Sequence, residues 1–266
     1  MSKAPRRPGP ESTLEQTKAL LIEASIELLR ERGIDVGLSH IPLSDTIARA
    51  GVTRSTAYRS LADDELTPQA VLHREILLYL LTRYKRSDTL DQISGEIGAE
   101  LQKHASVLET GDVASRTAAM RSVIRVGANS SYHDVIESPE LAILTAIYGA
   151  LQSSATIDWR HHAVAEGERG LTQMFTELYT GLTELFQYQI KPPFTMEQFT
   201  TTGASLVEGI AMRQGFNDQV TMIDRPTGED GALEPWTLFA IAFESLFVGM
   251  FEPRNPADPY ADLLHY

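Results

Sequence analysis

Apolar positions recur along this chain at helical spacing almost from its start. Leu14, Leu21, Ala24 and Leu28 form one stripe, and Gly33 follows Arg30 and Arg32 as a stop, so the pattern predicts a first helix over residues 12 to 32. Two short helical stretches follow at about 43 to 50 and 53 to 60, separated only by Gly51 and Val52. Thr67-Pro68 supplies an N-cap and a proline for the first turn of a fourth helix, whose stripe of Leu72, Ile76, Tyr79 and Leu80 reaches about Arg86. Further helices are predicted near 89 to 108, 113 to 129, 139 to 153 and 157 to 190, punctuated by Gly111, Pro139 and Lys191-Pro192-Pro193. Two late segments are apolar enough to want two buried faces: Phe199, Gly203, Leu206, Val207 and Ile210, then Trp236, Phe239, Phe243, Phe247 and Met250. A polar loop from about 217 to 233 separates them. No stretch reads as a strand and there is no internal repeat, so the predicted class is all-α.

Composition narrows the choice of function. The 266 residues include no cysteine, which excludes disulfides, thiolate metal sites and a cysteine nucleophile and favours a reducing compartment. The opening MSKAPRRPGPEST has no apolar core, and runs such as Ile76 to Leu81 are too short to span a bilayer, so the expectation is a soluble, cytoplasmic protein. The net charge of -13 is unevenly spread. Residues 1 to 86 carry 13 Lys+Arg against 11 Asp+Glu, or +2, leaving 23 - 13 = 10 against 36 - 11 = 25, or -15, for the rest. An acidic body would confine any phosphate contact to the N-terminal part. The domain expectation is a flexible basic arm at 1-11, a helix-turn-helix module at 12-66, a larger helical domain at 67-252 and a tail at 253-266.

The segment IARAGVTRSTAYRSL carries the most chemistry. Ile47, Ala48 and Val52 are small or apolar and can pack two short helices closely, Gly51 permits a tight turn, and Thr53 caps the next helix. That cap puts Arg54, Ser55 and Thr56 in a first turn, where a recognition helix meets base edges in the major groove. Arg54 can donate two hydrogen bonds to guanine, discrimination worth roughly 1-3 kcal/mol. Ser55 and Thr56 would add weaker contacts, and Tyr58 and Arg59 suit phosphate oxygens. The plainer reading is an ordinary helical hairpin with solvated arginines.

These residues resemble the DNA-binding signature of the tetracycline-repressor-like (TetR) family, over about residues 12 to 86 at motif level. The resemblance implies an all-α homodimer: an N-terminal three-helix helix-turn-helix DNA-binding domain followed by a larger helical ligand-binding and dimerisation domain. It implies that Thr53, Arg54, Ser55, Thr56, Tyr58 and Arg59 face DNA, Tyr58 matching the family's tyrosine, with Ser44 a further phosphate-contact candidate. Leu61 stands where the family usually has phenylalanine. Asp63, Asp64 and Glu65 stand near the start of helix four, where it usually has a lysine. Arg6 and Arg7 could reach a groove or remain an inert tail.

The resemblance also implies an apolar effector pocket in the body, coupled to DNA through helix four. Tyr148, Trp159, Met174, Phe175 and Tyr179 are its candidate lining, against the alternative that such residues are plain core. Phe199, Leu206, Ile210, Phe239, Phe243 and Phe247 are candidates for a dimer interface, against the alternative of a monomer core. Asp158, His161, His162 and Glu166 have helical metal-ligand spacing, but Arg160, Glu168 and Arg169 beside them favour a solvated charged face, so no metal is expected. No cofactor is implied, and no G-x-S-x-G, phosphate loop, dinucleotide fingerprint or H-E-x-x-H suggests an enzyme. The expected function is a sequence-specific transcriptional regulator, a repressor released from a palindromic double-stranded DNA operator by a small-molecule effector. The alternative is a ligand-binding or protein-interaction module of the same fold with little DNA affinity.

Overall fold

A computed structural model describes residues 10–32, 38, 41–85, 88–152, 158–214, 222–227 and 231–254. Among them are eleven helices and four short strands. In chain order these are α1 (Pro10–Arg32), α2 (Leu43–Ala50), α3 (Arg54–Ser60), α4 (Pro68–Lys85), α5 (Asp88–Lys103), α6 (Ala105–Thr110), α7 (Val113–Glu137) and α8 (Pro139–Gln152). There follow α9 (Trp159–Leu185), β1 (Tyr188–Ile190), α10 (Met196–Gln214), β2 (Met222–Thr227), β3 (Ala232–Thr237), α11 (Leu238–Met250) and β4 (Phe251–Pro253). The chain forms two compact units, one from residues 1–84 and 139–167, the other from 85–138 and 168–266. No described helix is long and apolar enough to cross a membrane.

In the first unit the apolar stripes of α1, α3, α4 and α8 meet in one core. Leu21 and Leu29, Ala57 and Leu61, Leu72 and Ile76 are essentially closed to solvent, and Ile143, Leu144, Ile147 and Leu151 join them from α8. Burial of this kind contributes roughly 1.5–3 kcal/mol per large side chain, far more than the helix propensity of segments as short as α2 and α3. Ser25 on α1 bonds the Leu21 carbonyl at 2.8 Å and meets the buried Thr46 hydroxyl on α2 at 3.2 Å, so the polar atoms at this contact are satisfied. Pro42, at the head of α2, has no side-chain cap to offer. Gln69 of α4 serves instead: its Oε1 accepts from the Leu43 N–H at 2.6 Å while its amide donates to the Ile41 carbonyl at 2.9 Å. Thr67 caps α4 by accepting from the Ala70 N–H at 3.3 Å, as its sequence position predicts.

The second unit packs α5, α7, α10 and α11 together with the part of α9 beyond residue 167. Gly203 on α10 lies against Phe243 of α11, where a Cβ would come within 2.7 Å of the ring. A glycine here allows the two helices to close. Antiparallel β1 and β4 pair with Tyr188 opposite Pro253 and Ile190 opposite Phe251.

The expectation of no strand is corrected by β2 and β3. They form an antiparallel hairpin with Ile223 opposite Trp236 and Arg225 opposite Glu234, where a loop was expected. Local pattern hid it because each strand contains a proline and a charged residue. Long-range contacts hold it instead. Trp236 is fully buried, donates to Thr227 Oγ1 at 2.7 Å, and lies beneath the Arg225 guanidinium, 4.9 Å from its ring centre. The buried Glu244 on α11 accepts from Arg225 at 2.7 Å and from Arg121 of α7 at 2.5 Å. Asn129 of α7 donates to the Pro235 carbonyl at 3.0 Å and accepts from the Thr237 N–H at 2.9 Å. Apart from the bond between Trp236 and Thr227, these contacts lie 19 to 123 residues apart in sequence, beyond the reach of any periodicity argument.

Candidate functional site

The turn between α2 and α3 is built as its residues suggest. Gly51 ends α2 at φ 64, ψ 22, and its N–H reaches back to the Ala48 carbonyl at 3.4 Å. No described residue comes within 4 Å of where its Cβ would be, so glycine is needed for the left-handed backbone and not for space. Thr53 then caps α3, accepting from the Thr56 N–H at 3.3 Å. Ala57 and Leu61 sink into the core of the first unit, with no measurable exposure, and fix which face of the short helix points outward.

The outward face carries Arg54, Ser55, Tyr58 and Arg59, all exposed, with Thr53 beside them and Thr56 half-buried. The Arg54 guanidinium lies over the Tyr58 ring at 5.2 Å and donates to its hydroxyl at 3.2 Å, so the two side chains are held together one helical turn apart. Neither Arg54 nor Arg59 meets a carboxylate among the described residues, whereas other arginines of the unit are neutralised. Arg32 pairs with Asp45 at 2.8 Å, Arg49 with Glu31 at 2.6 Å and Glu27 at 3.3 Å, and Arg74 with Asp63 at 3.0 Å. Free cations thus gather on α3. Ser44 is exposed in the first turn of α2 and donates to Asp45 at 3.2 Å, leaving its oxygen beside a carboxylate.

The acidic run after α3 has a use within the unit. One oxygen of Asp63 accepts from the Glu65 and Leu66 N–H groups at 3.0 and 3.1 Å, and the other pairs with Arg74. Those backbone bonds first, and Arg74 second, hold its carboxyl below the ordinary range despite desolvation. Asp64 and Glu65 remain exposed.

The second unit holds a partly open apolar cavity of about 70 Å³. Phe175 and Tyr179 of α9 line it, as the sequence suggested, together with Ile93 of α5 and Met120 and Ile124 of α7. Four residues expected at a dimer interface, Phe199, Phe239, Phe243 and Phe247, also line it and are buried within their own unit. Tyr179 meets Phe199 and Phe243 with ring centres 5.3 and 5.6 Å apart. Leu206 and Ile210 are half-buried on α10. Tyr148 and Trp159 belong instead to the core of the first unit, and Met174 is not part of the cavity wall. The α7 contribution was legible as Met120, Ile124, Ala128 and Ser131 at helical spacing, a stripe that sequence reasoning passed over.

Two carboxylates have distinctive surroundings. Burial first, and the neighbouring Glu168 carboxylate second, push Glu208 on α10 up to about 7. Asp158 is held down at about 2, chiefly by its bond to Arg160, whose guanidinium it accepts at 2.5 Å. His161 turns to the Leu151 carbonyl at 3.1 Å, and no group of three or more metal-ligating side chains gathers among the described residues. No protein-family model matches the chain, and no curated protein matches it significantly.

Proposed function

We propose that the chain is a tetracycline-repressor-like DNA-binding regulator that reads its operator with α3. The observation that carries this reading is the outward face of α3, where Arg54 and Arg59 are exposed and meet no carboxylate among the described residues while Ala57 and Leu61 anchor the helix. In that role α2 and α3 are the two limbs of a helix-turn-helix, joined by the left-handed Gly51. Arg54 reads guanine through its planar fork, Ser55 and Thr56 add contacts near the helix start, and Tyr58 and Arg59 grip phosphate. The bond from Arg54 to Tyr58 reduces the rotamer freedom lost on docking. Asp63, with both oxygens engaged inside the unit, presents a less available charge to phosphate than its position suggests.

The regulator acts as a homodimer, two α3 helices meeting a palindromic site, and the apolar cavity of the second unit holds the effector that shifts it away from DNA. Selection of bound fragments from genomic DNA tests the base readout. The wild-type chain should retain one sequence class over random DNA, and Arg54→Ala should erase that preference, a loss of about 1-3 kcal/mol of discrimination. Equal preference in wild type and variant would refute the assignment of Arg54.

A further inference from the structure

The head of α2 is held from outside that helix, by side chains of α4. Ile41 and Leu43, on either side of Pro42, are buried, so the Ile41 carbonyl and the Leu43 N–H need partners within the protein. Gln69 supplies both, its Oε1 accepting from Leu43 and its amide nitrogen donating to Ile41. Exchanging the oxygen and nitrogen of that amide would set donor against donor at Leu43 and acceptor against acceptor at Ile41. The backbone therefore fixes which way Gln69 points.

That orientation dictates the state of His73, one turn further along α4. The Gln69 amide nitrogen lies 2.5 Å from His73 Nε2, and with one N–H given to Ile41 it turns the other to the imidazole. Nε2 must accept it, so the ring is neutral with its hydrogen on Nδ1. The same Nε2 stands 3.3 Å from the Ile41 carbonyl. Once protonated it becomes a donor, which opposes the Gln69 amide and competes with it for that carbonyl.

We propose that His73 is a pH-sensitive latch, releasing the head of α2 when its imidazole takes up a proton. With the ring neutral, Gln69 bridges Ile41 and Leu43. With the ring protonated, Nε2–H takes over the Ile41 carbonyl, Gln69 withdraws, and the Leu43 N–H loses its acceptor, which Pro42 has no side-chain cap to replace. The folded chain holds the neutral ring, whereas an unfolded imidazole takes its proton near pH ~6.5, so the latch is complete at pH 8 and gives way as pH falls toward 5. His73 is half-buried, within reach of solvent protons. Its charged neighbours on α4 are engaged with other charges, Arg74 with Asp63 and Glu75, and Glu75 with Lys18 of α1. On α2, Asp45 pairs with Arg32 and Arg49 with Glu31 and Glu27. The consequence for DNA, weaker binding in acid as α2 frays beside α3, rests on the reading of α3 above. The latch itself does not.

NMR of the full chain, without DNA, tests the proposal. At pH 8 long-range proton–nitrogen correlations should show His73 with a protonated Nδ1 and a bare Nε2. Exchange protection of the Leu43 amide, taken relative to an unstructured chain at each pH, should fall about fivefold between pH 8 and pH 5, the effect of one helix cap. His73→Gln puts in place of the imidazole an amide oxygen that accepts from Gln69 at every pH, and should hold that protection constant. Asp35 and His40, which precede Ile41 and lie outside the described residues, titrate in both proteins and cancel in the difference. A proton on Nε2 at pH 8, unchanged Leu43 protection in the wild type, or the same fall in His73→Gln would overturn the proposal. The first two readouts need no variant. Because DNA is absent, each of these failures leaves the reading of α3 untouched, and a failure of α3 to bind DNA leaves the latch standing.

Discussion

Replacing Glu208 by glutamine should change how stability depends on pH, with little change at acid pH. In the folded chain burial and Glu168 raise the Glu208 carboxyl from the ordinary 4.5 to about 7. Below about pH 4.5 both the folded and unfolded chains hold the proton, and the group costs nothing. Between 4.5 and 7 the unfolded chain releases it while the folded chain keeps it, so stability falls as pH rises and the loss is complete above about 7. A shift of this size corresponds to about 3 kcal/mol at most, at 1.36 kcal/mol per pH unit, and the partial exposure of Glu208 reduces it to roughly 1–3. Glu208→Gln is neutral throughout and escapes the loss. Urea unfolding midpoints at matched ionic strength should therefore nearly coincide for variant and wild type near pH 4 and separate by pH 8, with the variant the more stable. Self-repulsion of the acidic body acts on both proteins and cancels in the difference. Parallel profiles from pH 5 to 8 would refute the burial argument.

Two further substitutions test the packing and the turn. Gly51→Ala puts a Cβ on a backbone at φ 64 with open space around it, so the whole effect is conformational, about 1 kcal/mol, read as a fall of a few degrees in the melting midpoint. A neutral Gly51→Ala would mean that the turn tolerates another geometry. Glu244→Ala strands the guanidinium groups of Arg121 and Arg225 around Trp236 and should cost about 3 kcal/mol in urea unfolding, with a red shift of tryptophan emission as the hairpin loosens. An unchanged emission maximum would show that the hairpin does not depend on this carboxylate.

The helices were legible where one face repeats locally. The predicted 43 to 50 coincides with α2, and the predicted starts at 113 and 139 coincide with α7 and α8, because Asp112, Pro139 and the apolar stripes act within a few residues. Boundaries without such a marker slipped. The helix expected to run unbroken over 89 to 108 is two, α5 and α6, parted at His104, and the one expected to reach residue 190 ends at Leu185, with Tyr188–Ile190 drawn into a strand by its partner Phe251–Pro253. The β2–β3 hairpin lay hidden for the same reason: Glu244 of α11 and Asn129 of α7 hold it from far along the chain.

The candidate site divided along the same line. Gly51, Thr53 and the outward residues of α3 follow from the local order of small, capping and charged residues, so they were visible in the sequence. The engagement of Asp63 with Arg74 was not, since it needs α4 to fold back over the loop. The fate of the late phenylalanines was also hidden: an apolar helix reads alike whether its second face meets another subunit or a cavity, and here Phe199, Phe243 and Phe247 face the cavity.

The central claim, that the exposed cations of α3 bind DNA, is tested most directly by the salt dependence of that binding. Affinity of the full chain for its selected fragment, measured from about 50 to 200 mM salt, should fall steeply, by tenfold or more, as counterions released from phosphate are returned. Arg59→Ala should flatten the slope, and Arg54→Ala should reduce sequence preference. No complex at the lowest salt, or a complex indifferent to salt, would contradict the claim and leave a helical ligand-binding module in its place.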